Sequence, residues 1–243
     1  MTSIDRRSAG LAPDLVLDGT WRAVRSDGDL ARGFATPDFA DDDWHEVTIP
    51  GHWRAHASLR DVDGPVLHRR RFDTGPLAAD RRRFLTLDGV FSLADVWLDG
   101  AYLGPTEGYF TPHTFEVGRT DPGRREHLLA VEVACPRESD RSAKRSVNGI
   151  FGHWDAMDPG LGPGGIWRPV RVHETGPVHI ARLRSICTEA GRDRGRLLLD
   201  LSLDARNGDA RIPVVVHASV TGPDGALLTL ARRELTLADG DNH

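Results

Sequence analysis

One lysine, Lys144, stands among the 31 basic residues of this 243-residue chain, and every other basic residue is an arginine. Even codon bias explains that pattern, as would a selected arginine surface. Cysteine is equally scarce. Cys135 and Cys187 lie far apart and fit no metal spacing, so they read as reduced, partly buried thiols. No apolar run approaches the ~20 residues of a membrane span. The opening Met1-Thr-Ser-Ile-Asp-Arg-Arg7 leads into no apolar signal-peptide segment, so the expectation is a cytoplasmic chain with no membrane partner. Positive charge is not in excess either. Set against 36 acidic residues, the basic ones leave a formal net charge of −5, which argues against nucleic acid as a partner.

What is present suits a folded protein: 39% hydrophobic and 28% charged residues exclude collagen-like and fully disordered chains. Against a prior of ~150 residues per domain, the length allows two domains or one large β domain. The dominant pattern is short and two-residue. Val66–Phe72, Arg83–Asp88, Ala94–Leu98, His127–Val133 and Trp167–His173 are rich in Val, Leu, Phe and Trp and bounded by Gly, Pro or Asp, which predicts strands. Leu98-Asp-Gly-Ala101 predicts a hairpin, because Asp-Gly supplies the positive φ of a type I′ turn. The arginines of Arg69-Arg-Arg71 and Arg81-Arg-Arg83 are expected on the solvent face of strands. Only Pro37–Trp44 suggests a short helical turn. The fold class is all-β: a jelly-roll β-sandwich followed, beyond a boundary near Glu174-Thr-Gly-Pro177, by four strand-like segments that resemble the start of an immunoglobulin-like sandwich. The expected division is a tail at 1–12, the jelly roll at 13–176 and the second sandwich, truncated, at 177–243.

The most informative stretch is Asn148-Gly-Ile-Phe-Gly-His-Trp-Asp-Ala-Met-Asp-Pro-Gly-Leu-Gly-Pro-Gly-Gly-Ile-Trp-Arg-Pro-Val170. Glycines permit backbone turns that other residues resist, and among them stand His153, Trp154, Asp155 and Asp158. A Trp face covers the C–H face of a pyranose, while Asp, Asn and His hydrogen-bond its hydroxyls. The bland alternatives are that His153 bonds to backbone and that the aspartates form turns. Trp21, Trp44, Trp53, Trp97 and Trp167 lie in or beside strands and are expected in the core, with His52 and His113 structural. Gly160-Leu-Gly-Pro-Gly-Gly165 is followed by no Lys-Ser/Thr and is neither a dinucleotide fingerprint nor a P-loop, so no cofactor and no metal are expected.

Gly164-Gly-Ile-Trp-Arg-Pro-Val-Arg-Val172 resembles the Gly-Ile-aromatic-Arg-x-Val strand of glycoside hydrolase family two, the family of β-galactosidases, β-glucuronidases and β-mannosidases. Three further segments resemble that family in order: Asp38-Phe-Ala-Asp-Asp-Asp-Trp-His-Glu-Val-Thr-Ile-Pro-Gly-His-Trp53, Val96-Trp-Leu-Asp-Gly-Ala-Tyr-Leu-Gly104 and Gly108-Tyr-Phe-Thr-Pro-His-Thr-Phe-Glu-Val117. The resemblance covers residues 13–175 as a sugar-binding jelly roll and the remainder as the beginning of the immunoglobulin-like domain.

The resemblance implies retaining hydrolysis of terminal β-linked sugars by two glutamates about 5 Å apart on a (β/α)8 barrel. In the family the acid/base glutamate follows an asparagine. This chain has no Asn-Glu pair and no βα repeats, so the expectation is a chain without catalytic residues, inactive alone, with a barrel partner in cis or in trans. The alternatives are a stand-alone carbohydrate-binding module and a complementing subunit. The family also has an aspartate shortly before the Gly-Ile-aromatic-Arg strand that bonds the terminal sugar. Asp158 matches it by position. Pro159-Gly-Leu-Gly-Pro-Gly164 departs from the usual spacing by about one residue and keeps Asp155 in contention. Asp63, in Arg60-Asp-Val-Asp-Gly-Pro65, occupies a second loop that contacts substrate in some members.

Overall fold

The computed structural model describes residues 13–27, 33–62, 64–118, 121–135, 164–192, 194–206, 208 and 211–242. They fall into two compact units, one ending at residue 174 and one beginning at 175.

The first unit is built from β1 (Leu15–Val16), β2 (Gly19–Arg25), β3 (His45–Ile49), β4 (Val66–Asp73), β5 (Arg82–Leu87), β6 (Val90–Phe91), β7 (Leu93–Leu98), β8 (Ala101–Glu107), β9 (His113–Val117), β10 (Glu126–Ala134), β11 (Gly165–Ile166) and β12 (Val170–Thr175). A six-stranded sheet runs β3-β2-β4-β10-β7-β8. A four-stranded sheet runs β1-β12-β5-β9, and β6 pairs with β11. The expected jelly-roll sandwich is present. Its core lies between the sheets and includes Trp21, Val66, Leu85, Leu87, Val96, Leu129, Val131, Val133, Ile166 and Val172. Each such side chain contributes roughly 1.5–3 kcal/mol by leaving water.

Strand β10 reads as a near-continuous apolar run because both its faces are covered. Leu129, Val131 and Val133 face the inter-sheet core, while Ala130 joins Leu67 beneath Phe34 and Trp44 of the segment 33–44. That cover corrects the solvent-face expectation for Arg69, while Arg71 is exposed as expected and Arg70 and Arg81 are only partly covered. Arg69 is fully buried: it meets Asp41 at 2.6 Å, donates to the carbonyls of Thr36 and Phe39, and lies over the Phe39 and Trp44 rings. Arg71 donates to Pro37 O at 2.7 Å. Arg82 and Arg83 are also buried, paired with Glu116 and Glu174 at 2.9 and 2.7 Å. Strand periodicity assigns a face correctly, but it does not say what packs on that face.

Asp99 (φ +54°) and Gly100 (φ +87°) form the expected tight turn between β7 and β8. The Asp99 carboxylate accepts hydrogen bonds from Leu128 N at 2.8 Å and His127 Nδ1 at 2.7 Å, tying the hairpin to β10. Burial alone would raise its pKa. The bonds from His127 and Leu128, with Arg124 nearby, outweigh burial and hold it below the usual carboxylate range.

The second unit contains β13 (Val178–Ala190), β14 (Gly195–Ala205), β15 (Ile212–Thr221), β16 (Leu227–Leu237) and β17 (Gly240–Asn242). Four strands match the sequence segments, and β17 is an addition that pairs with β14 at 203–205 only. One sheet is β13-β14-β17 and the other is the β15-β16 hairpin. Their shared core is small: Leu203, Ala205 and Leu237 are buried, with Ile180, Leu201, Val214 and Leu235 packed around them. Cys135 is buried, which pushes its thiol up to about 11. Cys187 is exposed, against the expectation of a partly buried thiol, because the sheet face around it carries no cover among the described residues.

Candidate functional site

Two of the sequence segments quoted above meet in one joint. Gly51 N donates to Ile166 O at 2.8 Å and Trp53 N donates to Gly164 O at 3.1 Å, so Pro50-Gly-His-Trp53 runs beside Gly164-Gly-Ile-Trp167. His52 caps the short 3-10 turn Trp53–Ala55 by accepting from Arg54 N at 3.0 Å, which directs the Trp53 ring inward. The ring is buried and lies flat against Gly164. A β-carbon at Gly164 would fall 1.8 Å from Trp53 Cη2. Gly165 has φ +146°, and a β-carbon there would fall 2.5 Å from Gly51 O. The double glycine is therefore a contact surface for Trp53 and not merely a flexible turn.

Next to the joint lies a run of aromatic rings. Phe91 and Tyr109 have centroids 4.7 Å apart, Tyr109 and Phe110 4.5 Å, and Phe110 and Trp167 5.6 Å. Trp167 Nε1 donates to Tyr109 O at 2.9 Å, fixing the indole, and the Arg168 guanidinium lies 4.4 Å above its ring. Phe110 and Arg168 are exposed. These groups can hold an apolar face and a hydrogen-bond acceptor. Among the described residues, a cavity inside the sandwich beside Phe72, Leu85, Val117 and His127 is about 10 Å³, room for about one water.

The five sugar-facing candidates, His153, Trp154, Asp155, Asp158 and Asp63, all lie outside the described residues. The described residues place the chain ends that flank them. Residues 136–163 leave from Cys135, at the end of β10, and return at Gly164. Those ends are joined through β6, where Phe91 pairs with Gly165 and Ser92 N donates to Ala134 O at 3.2 Å. Of the tryptophans expected in the core, Trp21, Trp44 and Trp53 are buried, whereas Trp97 and Trp167 are only partly so. The ledge of Phe110, Trp167 and Arg168 was not singled out by the sequence reading, because it joins residues some 57 positions apart, from 110 to 167. No group of three or more His, Cys, Asp or Glu among the described residues is placed to hold a metal, and no helix among them is long and apolar enough to cross a membrane.

Fold and ledge together define a protein of two successive β-sandwiches with an aromatic surface where a glycine-rich segment enters and leaves. Known proteins resemble it in sequence or fold over part of their own length. The chain is 30% identical over 173 residues to the β-galactosidase BgaC of Bifidobacterium adolescentis, covering 54% of this chain and 16% of that protein. It is 23% identical over 217 residues to the β-galactosidase BoGH2A of Bacteroides ovatus, covering 84% of this chain and 23% of that protein. A solved β-glucuronidase from glycoside hydrolase family 2 shares its fold over 93% of the chain with a TM-score of 0.71 at 17% identity, and this covers 25% of that structure. No family model matches the chain. Its curated homologues are family-two β-galactosidases, a β-glucuronidase and β-mannosidases, as the four ordered segments led us to expect. The chain spans about a sixth to a quarter of the length of these relatives.

Proposed function

We propose that the chain is the non-catalytic portion of a retaining glycoside hydrolase acting on terminal β-linked sugars. It supplies scaffold and a sugar-contacting loop to a catalytic barrel carried elsewhere, in cis or in trans. The observation that carries this reading is the joint: Gly164 and Gly165 pack on Trp53 and Gly51 beside the ledge of Phe110, Trp167 and Arg168, at the point in the chain that directly follows the stretch bearing His153, Trp154, Asp155 and Asp158. Those four residues, with Asp63, are the ones we assign to the sugar. In this scheme their task is to bind and orient the terminal ring. Protonation of the leaving group and nucleophilic attack belong to the paired glutamates of the barrel. Two unpaired cysteines suit work in a reducing cytoplasm.

Turnover of nitrophenyl β-galactoside, β-glucuronide and β-mannoside tests the reading. The 243-residue chain is expected to release no nitrophenol, while a longer product of the same reading frame, or the chain mixed with a barrel partner, releases it. Turnover by the chain alone would overturn the proposal.

A further inference from the structure

Two carboxylates face each other on the outer side of the six-stranded sheet, and among the described residues they meet no base. Asp95 of β7 pairs across the ladder with Glu132 of β10, which sets their β-carbons about 5 Å apart on one face. Each carboxylate takes one hydroxyl. Tyr102 Oη donates to Asp95 Oδ1 at 2.5 Å and Ser26 Oγ donates to Glu132 Oε1 at 2.7 Å, so Asp95 Oδ2 and Glu132 Oε2 have no donor among the described residues. Other half-buried carboxylates of the first unit are answered differently: Asp41, Asp88, Glu116 and Glu174 each pair with an arginine at 2.6–2.9 Å. Strands β7 and β8 carry no arginine, lysine or histidine. Like charges set directly opposite each other weaken a sheet.

Beside the pair stand two aromatic rings. Trp97 lies two residues after Asp95 on the same face, and the Tyr102 ring is 5.4 Å from it between centroids at an interplanar angle of 51°. Tyr102 is 54% exposed and Trp97 half-buried. An aromatic face attracts a cation, and does so more strongly once the cation leaves water. The gap between the carboxylates selects among cations. A calcium ion seeks about six or more oxygens and gains nothing from a ring. A guanidinium group takes both oxygens of one carboxylate in its planar fork, and here one oxygen of each is already bonded to a hydroxyl. An ammonium group is a compact point charge with three donors, able to bond Asp95 Oδ2 and Glu132 Oε2 together and to turn its carbon skeleton toward the rings. The face lies within the first unit, and none of its ladders runs toward residue 243.

We propose that this face binds a primary ammonium group, seated between Asp95 and Glu132 with the carbon atoms that bear it against Trp97 and Tyr102. The ligand is a small primary amine, supplied by an amino sugar or by a linear diamine. Binding neutralises the like-charge pair, so the feature that weakens the fold on its own is the one that holds the ligand.

Calorimetric titration of the 243-residue chain at low ionic strength tests it, with glucosamine and putrescine as probes and glucose and N-acetylglucosamine as neutral controls. Binding is expected from the amines and not from the neutral sugars. Tighter binding of glucosamine assigns the face to amino sugars and tighter binding of putrescine to linear amines, and either result sustains the proposal. Asp95→Asn and Glu132→Gln keep an acceptor for Tyr102 and Ser26, and each should weaken amine binding on the order of ten-fold. Tyr102→Ala should weaken it several-fold. Stability supplies a readout that a purely structural role would reverse: relief of the like-charge pair should raise the urea midpoint of Asp95→Asn and of Glu132→Gln. No binding of either amine, equal binding of the neutral sugars, amine binding unmoved by the two exchanges, or midpoints that fall would each overturn the proposal.

Discussion

The two units are written in the same alphabet and buried to very different depths. β10 of the first unit carries leucine and valine, and β14 of the second leucine, at strand spacing. Yet Leu128, Leu129 and Val131 are buried, whereas Leu197, Leu198 and Leu199 are largely exposed. The difference lies in what covers each strand. β10 has β4 and β7 at its edges, a facing sheet on one side and the segment 33–44 on the other, while among the described residues the outer half of β14 has one neighbour. Charge follows the same rule. Arg69 in the first unit is sealed against Asp41, and Arg232 in the second meets Glu234 in the open. Pattern assigns a residue to a face, and only the number of layers around that face decides whether it is core.

The joint of the first unit offers the hardest blow to this contrast. Gly164→Ala drives a methyl into the Trp53 ring, where 1.8 Å is available, and the neighbouring backbone bonds Trp53 N to Gly164 O and Gly51 N to Ile166 O resist a shift. Overpacking of this kind costs about 3 kcal/mol or more. For a unit of this size that lowers the melting temperature by roughly 10 °C. Gly75→Ala, where no atom lies within 4 Å of the added carbon, should leave it unchanged. Equal melting temperatures for the two variants would show that Trp53 yields easily, and the first unit would then be no better packed than the second.

The ion pairs sharpen the contrast at a slightly smaller scale. The Arg69 side chain is 0% and Asp41 16% exposed, so Asp41→Ala strands a buried guanidinium and should cost about 3 kcal/mol. Arg232 and Glu234 are 56 and 67% exposed, and Glu234→Ala should cost less than about 0.5 kcal/mol. Urea denaturation of both variants measures the ratio. A cost for Asp41→Ala as small as that for Glu234→Ala would mean that the Thr36 and Phe39 carbonyls and the two rings hold Arg69 by themselves.

Much of the fold was legible because its instructions are local. Alternation over four to seven residues marked the strands, and Asp99-Gly100 marked its own turn. The buried arginines were not legible, since Arg69 is covered by a segment some thirty residues earlier whose path is set by packing of Phe34, Phe39 and Trp44. The site was half legible. Gly164-Gly-Ile-Trp and Pro50-Gly-His-Trp stood out as separate segments. That they are two sides of one contact follows only from the backbone approach that Trp53 demands of Gly164, more than a hundred residues away. Cys187 and the leucines of β14 failed in the opposite direction. Their composition reads as interior, and nothing in a strand's own sequence counts the strands beside it.

Acid provides the gentlest way to read the first unit's burial. His68 is completely buried on β4, bonded through Nδ1 to Val66 O at 3.1 Å, and burial, with the positive charge of His56 adding a little, lowers its pKa to about 4 from 6.5. The unfolded chain therefore binds a proton at this position between pH 6.5 and 4 while the folded chain does not. The stability tied to the neutral ring is complete above about pH 6.5, falls as pH drops toward 4, and falls no further below that. Between pH 7 and 4.5 the loss amounts to roughly 2 kcal/mol. Paired urea titrations at those two pH values should show that loss in the parent and a smaller one in His68→Gln, which keeps a hydrogen-bonding group and cannot titrate. Parallel losses in the two proteins would place the acid sensitivity elsewhere and would mean that water reaches the face of β4 that His68 shares with Val66, between the two sheets. In that case the two units would differ in how many layers cover them, but not in how dry those layers keep the strands.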